Sequence, residues 1–172
     1  MKIFTLVLGE LENNCYILIK DNKMLIIDPS TDTEEYEKYL NKYELEGILI
    51  THYHFDHIGG LDNLVKKTNI KPNDFKNIKT FQFETIKTPG HTSDSISFYF
   101  KEEKVLFSGD FIFKNTIGRM DLPTGDKNEM LKSLKNIEEK IIEDVKIYPG
   151  HGPETTMYEE KYNFTNYYQY LL

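Results

Sequence analysis

The chain of 172 residues holds five histidines, and all five fall in three short motifs, each at the end of an apolar run. The motifs are Thr51-His52-Tyr53-His54-Phe55-Asp56-His57, Thr88-Pro89-Gly90-His91-Thr92 and Tyr148-Pro149-Gly150-His151-Gly152. Asp110 ends a further run, in Ser108-Gly109-Asp110. Scattered histidines are ordinarily surface or satisfied core residues, but histidines gathered so completely into motifs are not scatter. Imidazole and carboxylate together suit zinc, iron or manganese. The single cysteine, Cys15, excludes both a thiolate-rich zinc site and an internal disulfide. His52 and His54, two apart in an extended segment, project from the same side toward one ion. Asp56 and His57 stand on the turn into a helix, within reach of a second ion beside the first.

These side chains need strands that end where they begin. Ile3 to Leu8, Cys15 to Lys20 and Met24 to Asp28 read as strands, with a hairpin turn at Asp21-Asn22-Lys23. Ser30-Thr31-Asp32-Thr33 offers N-cap residues ahead of a helix over Glu34 to Tyr43. Gly47 to Thr51 reads as a buried strand that delivers the first histidine motif, and a helix follows from Ile58 to about Thr68. Strands resume at Thr80 to Thr88, Ser95 to Phe100 and Lys104 to Ser108. Asp126 to Glu143 has the spacing of an amphipathic helix, Val145 to Tyr148 of a strand, and Glu154 to about Tyr170 of a closing helix. Strands and helices thus come in two similar rounds, about 1–90 and 91–172, within a single domain. That order predicts an α/β protein of two sheets packed face to face with helices outside.

Composition narrows the function. The formal net charge of −7 opposes binding to a phosphate backbone, so no nucleic-acid partner is expected. No stretch has the order of a signal peptide or the length of a membrane span, so the expectation is a cytoplasmic protein acting on a small molecule.

The HxHxDH signature, the PGH and GD motifs downstream and the last PGH resemble the metallo-β-lactamase superfamily over nearly the whole chain. The resemblance implies a four-layer αβ/βα sandwich with two mixed sheets. It also implies two divalent ions, zinc foremost with iron or manganese as alternatives. His52, His54 and His91 would hold one ion, Asp56, His57 and His151 the other, with Asp110 bridging. Between two such ions a bridging hydroxide forms near neutral pH and attacks a carbonyl, with Asp56 orienting it or passing a proton to the leaving group.

The segment Ile117-Gly118-Arg119-Met120-Asp121-Leu122-Pro123-Thr124-Gly125-Asp126 and the later Gly150-His151-Gly152-Pro153-Glu154-Thr155-Thr156 resemble small bacterial hydrolases related to glyoxalase II. The implied substrate is a thioester of the hydroxyacylglutathione type. Glyoxalase II continues into a helical domain that contacts glutathione, whereas here only the stretch to Leu172 follows His151. The span between His57 and His91 is also short, and an open cleft is expected. The same fold serves iron-dependent persulfide dioxygenases and two-metal phosphodiesterases or RNA-processing nucleases, which are the competing readings. A binding module that keeps only the fold would not need every ligand position filled. Arg119 could bind a substrate carboxylate or organise the loop around Asp121 and Asp126. Asp28, in Ile27-Asp28-Pro29, resembles an early aspartate that supports the ligands, beside a plain turn role. Cys15 reads as a small buried hydrophobe.

Overall fold

The computed structural model describes residues 1–31 and 34–172, the side chain of Glu35 apart. The chain forms two compact units, residues 1–82 and 83–172.

In the first unit, β1 (Lys2–Leu8), β2 (Asn13–Lys20), β3 (Lys23–Ile27) and β4 (Glu44–Leu49) make one sheet in sequence order. The first three strands are antiparallel and β4 joins β3 in parallel, so the sheet is mixed. The β2–β3 hairpin turns on Asp21 and Asn22, both with positive φ, the left-handed pair that a two-residue turn of matching twist demands. β2 is buried from Asn13 to Ile19, which is why from Cys15 onward it reads as an apolar run rather than an alternating one. The helices α1 (Glu34–Leu40) and α3 (Leu61–Thr68) contribute Tyr36, Leu61 and Leu64 to a core with Cys15, Ile17, Ile26, Ile48 and Ile50. Of the N-cap candidates for α1, Asp32 and Thr33 lie outside the described residues.

Two expectations shift here. The helix after the first histidine motif is split into α2 (Phe55–Ile58) and α3, because the backbone N–H of Gly60 leaves the helical ladder and donates to Pro29 O at 2.8 Å. The strand expected from Thr80 does not start there, since the N–H groups of Lys79 and Thr80 donate to the Glu46 carboxylate instead of to a neighbouring strand.

In the second unit, β5 (Glu84–Lys87), β6 (Ile96–Phe100), β7 (Val105–Gly109), β10 (Lys146–Pro149) and β11 (Thr155–Thr156) form a mixed sheet of order β11-β10-β7-β6-β5. Only β7 and β10 run in parallel. A small hairpin, β8 (Ile112–Phe113) with β9 (Thr116–Ile117), follows β7. α4 (Lys127–Lys140) is capped by Asp126, which accepts from the Glu129 N–H, and α5 (Met157–Leu171) is capped by Thr156 in the same way through Glu159. Met130, Leu134 and Ile137 from α4 and Met157 and Phe164 from α5 pack with Ile86, Leu106 and Ile147 of the sheet. Sequence periodicity carried α5 back to Glu154, but Thr155 and Thr156 first pair with β10. The β8–β9 hairpin has too few residues to show a period, and its turn is held from outside by Glu160. That carboxylate is fully buried, accepts from the Asn115 N–H at 3.1 Å, and takes the Thr155 hydroxyl at 2.7 Å.

Both units therefore have one mixed sheet with helices on one face. Among the described residues no helix is long and apolar enough to cross a membrane.

Candidate metal centre

In the first unit the ligand candidates follow β4 directly. The exit of that strand is fixed by Asn73, whose side-chain oxygen accepts from Ile50 N–H at 2.9 Å while its amide donates to Ile50 O at 3.1 Å. An amide side chain thus completes the edge that a further strand would otherwise supply. Past this point the chain presents Thr51, His52 and His54, and the α2 turn then presents Asp56 and His57.

Asp28 organises the group from beneath. It is 1% exposed and follows β3 in the left-handed region, at φ 51°, with its N–H donating to Leu49 O. That backbone is uncommon for a residue with a side chain, though aspartate tolerates it better than most. One carboxylate oxygen accepts from Thr51 N–H at 2.8 Å. The other accepts from the Thr51 hydroxyl at 2.6 Å and from His57 Nδ1 at 2.9 Å.

The consequence is a fixed tautomer at His57 and His52. His57 carries its proton on Nδ1 and keeps Nε2 as the lone-pair nitrogen, 2.9 Å from the Asn13 amide. The Thr51 hydroxyl donates its hydrogen to Asp28, so toward His52 Nδ1, 3.2 Å away, it is an acceptor. His52 therefore also carries its proton on Nδ1. Its Nε2 lies 3.1 Å from His54 Nδ1. That is about the separation of two donors sharing one ion with bonds of about 2.1 Å. Asp56 Oδ2 stands 3.7 Å from His57 Nε2. His52 and His57 are buried, and His54 and Asp56 are partly open.

In the second unit the candidates come from three separate loops. His91 follows β5, Asp110 follows β7 and His151 follows β10. Asp110 Oδ2 lies 3.4 Å from His91 Nε2 and 3.7 Å from His151 Nε2, so one carboxylate oxygen faces both rings. His91 Nδ1 donates to the backbone carbonyl of Arg119 at 2.8 Å, which leaves its Nε2 as the lone-pair nitrogen.

Close backbone approach holds these loops in register. A Cβ on Gly118 would come within 1.9 Å of Asp110 O and 3.1 Å of His91 Cβ. Gly90 has φ 145° and lies so near the start of α4 that a Cβ would meet the Met130 backbone at 2.5 Å. Ser133 Oγ donates to Pro89 O and Asp126 N–H to Gly90 O, which ties the His91 loop to the same helix.

The sequence-chosen ligands gather within each unit as His52, His54, Asp56 and His57, and as His91, Asp110 and His151. Asp28 touches His57 directly. The Arg119 side chain stands away from the rings, with its guanidinium gripping Asp121 through two hydrogen bonds of 2.7 and 2.6 Å. That contact holds the Asp121 carboxyl down at about 2. Sequence reasoning missed Thr51, Asn73 and Asn13, whose amide Nδ2 lies 2.9 Å from His57 Nε2. The visible signal for Asn13 was the polar pair Asn13-Asn14 opening a strand that is otherwise apolar and buried.

Imidazoles with proton positions fixed on one nitrogen and lone pairs on the other, beside carboxylates and without thiolate, are the donor set of a divalent-metal site. Comparison with known proteins agrees. The profile of the metallo-beta-lactamase superfamily matches residues 8–73 and 72–151, and the chain belongs to that superfamily. It shares the fold as well. It is 33% identical to the "Probable metallo-hydrolase YqgX" of Bacillus subtilis (strain 168) over 200 aligned residues, covering 94% of this chain and 95% of the relative. It is 32% identical to the hydroxyacylglutathione hydrolase of Francisella tularensis subsp. novicida (strain U112) over 163 residues. That match covers 83% of this chain and 64% of the relative, so the chain spans less than two thirds of that enzyme. Among solved structures, TTHA1623 in a di-iron-bound form superposes with a TM-score of 0.81 at 28% identity, over 92% of this chain and 96% of that one.

Proposed function

We propose that the two ligand groups form one dinuclear centre and that the protein hydrolyses a thioester of the hydroxyacylglutathione type. His52, His54 and His91 would hold one ion, Asp56, His57 and His151 the other, and Asp110 would bridge them. The observation that carries this reading is the ordered set of ring tautomers. The Thr51–Asp28 pair and the Arg119 carbonyl occupy Nδ1 of His52, His57 and His91, so each ring has Nε2 as its lone-pair nitrogen. The similarity to hydroxyacylglutathione hydrolase and to a di-iron protein supports the substrate class and the ion count.

When bound, the ions supply an acidified water and polarise the carbonyl. The residues of the chain do the rest. Asp28 keeps the His57 proton on Nδ1, so that ring stays fixed with Nε2 as its lone-pair nitrogen. Asp110 places one oxygen against two rings, which suits a bridging carboxylate. Asp56 is the residue whose carboxylate orients the water and carries its proton to the departing sulfur. The products are a carboxylic acid and a thiol, and water supplies the atoms for both. No side-chain nucleophile is required.

The test is a panel of thioesters that share an acyl group and differ in thiol carrier, run on protein of measured metal content. Thiol release that needs two ions per chain, and is lost in Asp56→Asn, is expected. Oxygen uptake with glutathione persulfide, or phosphodiester cleavage without thioester cleavage, would replace this reading with one of its rivals on the same fold.

A further inference from the structure

Asn13 is the first residue of β2 and is 1% exposed. Its side-chain Nδ2 lies 2.9 Å from His57 Nε2, the nitrogen that Asp28 leaves as a lone pair. The amide therefore donates to that lone pair. Its other end is costly, because Asn13 Oδ1 is buried and has no hydrogen-bond partner. A buried acceptor left in this way costs about 1–3 kcal/mol.

An ion on His57 Nε2 changes the balance. His57 Nε2 would then give its lone pair to the ion, and the Asn13 amide, no longer able to donate there, would present its oxygen instead. Half a turn about the Cβ–Cγ bond exchanges the two atoms and sets Oδ1 where Nδ2 stood, 2.9 Å from Nε2. Two donors at right angles on one ion, with bonds of about 2.1 Å, lie about 3 Å apart. The pair His52 Nε2 and His54 Nδ1 shows nearly the same spacing, at 3.1 Å.

We propose that Asn13 is a further metal ligand, its amide oxygen joining Asp56 and His57 on one ion. The proposal rests on the dinuclear reading above. An amide oxygen is a hard, neutral donor, so it raises the coordination number at this ion and favours iron or manganese relative to zinc.

Chelator competition with cobalt(II) and manganese(II) on the purified full chain tests this, with the visible absorption of the cobalt form as a second readout. In Asn13→Leu, which keeps the volume and removes the oxygen, the more weakly held ion is expected to bind roughly tenfold less tightly. The cobalt bands should also gain intensity as the coordination number falls. Asn13→Asp, which keeps an oxygen and adds charge, should bind that ion at least as tightly as the unaltered chain. An Asn13→Leu protein with equal or tighter binding would overturn the proposal, since the amide would then be only a competitor for His57. Loss of the ion from Asn13→Asp would overturn it equally. An unaltered chain that takes up only one ion would instead remove the dinuclear reading beneath it.

Discussion

The two halves hold their ligand candidates by different means. The first carries four ligand candidates on one stretch of chain, from His52 to His57, and steadies them with side chains. Asp28 binds Thr51 and His57, Thr51 meets His52, and Asn73 clamps the strand that leads in. The second half draws three candidates from three loops and steadies them with backbone. The Arg119 carbonyl holds His91, and Gly118 and Gly90 let strands, hairpin and helix approach more closely than any side chain would permit. Ligands close in sequence share one support and can be ordered by a single carboxylate. Ligands far apart in sequence must be ordered by how well their loops fit.

The heaviest blow to the side-chain half is Asp28→Ala. It leaves the Thr51 N–H, the Thr51 hydroxyl and the His57 Nδ1–H as buried donors without their acceptor. A loss of about 3–5 kcal/mol in urea unfolding is expected. Affinity for the ion at His57 should fall roughly 10–100-fold. Loss of less than about 1 kcal/mol with metal content unchanged would show that the loop holds itself without the carboxylate.

The matching blow to the backbone half is Gly118→Ala. The new Cβ cannot stay 1.9 Å from Asp110 O, so the β9 end must shift and carry the Arg119 carbonyl away from His91. A cost of about 1–3 kcal/mol is expected. Histidine-ring NMR should show the His91 Nδ1–H signal moved or exchanging and the His57 signal in place. Equal disturbance of both rings would erase the contrast between the halves.

This difference also explains what could be read from the residues alone. The first group was legible because its ligands are neighbours and alternate along an extended segment, so spacing alone gives their geometry. The histidines stood out as ligand candidates because their motifs end apolar runs, and Asp56 and Asp110 because they share or mirror those positions. The supports were less so. Asp28 was visible only as a possible supporting aspartate, since nothing in Ile27-Asp28-Pro29 says which ring lies above it. The sequence pointed to the side chain of Arg119, with no sign that its backbone carbonyl meets the ligand candidate His91, because a carbonyl has no letter of its own. The β8–β9 hairpin was invisible because four paired residues carry no period, and Glu160, which pins it, looked like any polar residue of a helix. The Glu44 start of β4 and the late start of β5 depend on partners distant in sequence, such as Glu46 with Thr80.

A milder test asks how well the side-chain half is sealed. Cys15 is fully buried next to the Asp28 network, and burial pushes its thiol from 9.0 to about 12. The folded state thus holds the thiol proton more tightly than the unfolded state. The stability linked to that proton is complete below pH 9 and is lost as pH rises from 9 toward 12. Tyr99 in the second unit, raised from 10.0 to about 12 chiefly by burial, adds a similar loss above pH 10. Urea midpoints between about pH 8 and 10.5 should therefore fall, with a shallower fall in Cys15→Ala. At about pH 8 the native thiol should react with a disulfide reagent only as fast as the protein unfolds. Rapid reaction in the folded state would mean that the floor of the first half opens by itself.

The smallest effect is expected at Arg119, and it separates backbone from side chain most cleanly. Arg119→Ala removes the guanidinium but keeps the carbonyl that accepts the His91 proton. The pair with Asp121 is exposed on both sides, so solvent already screens it. Metal content, His91 ring signals and thermal midpoint should all stay near those of the unaltered chain, while the Asp121 carboxyl rises from about 2 toward its ordinary value. Steady-state kinetics then decide between the two roles left open by the sequence. If the guanidinium only organises its loop, both kcat and KM hold. If it binds a substrate carboxylate, KM rises while kcat holds, the pattern of lost binding shared by ground and transition states. A fall in kcat with loss of metal would contradict the division itself, because it would mean that the second half also orders its ligands through a side chain.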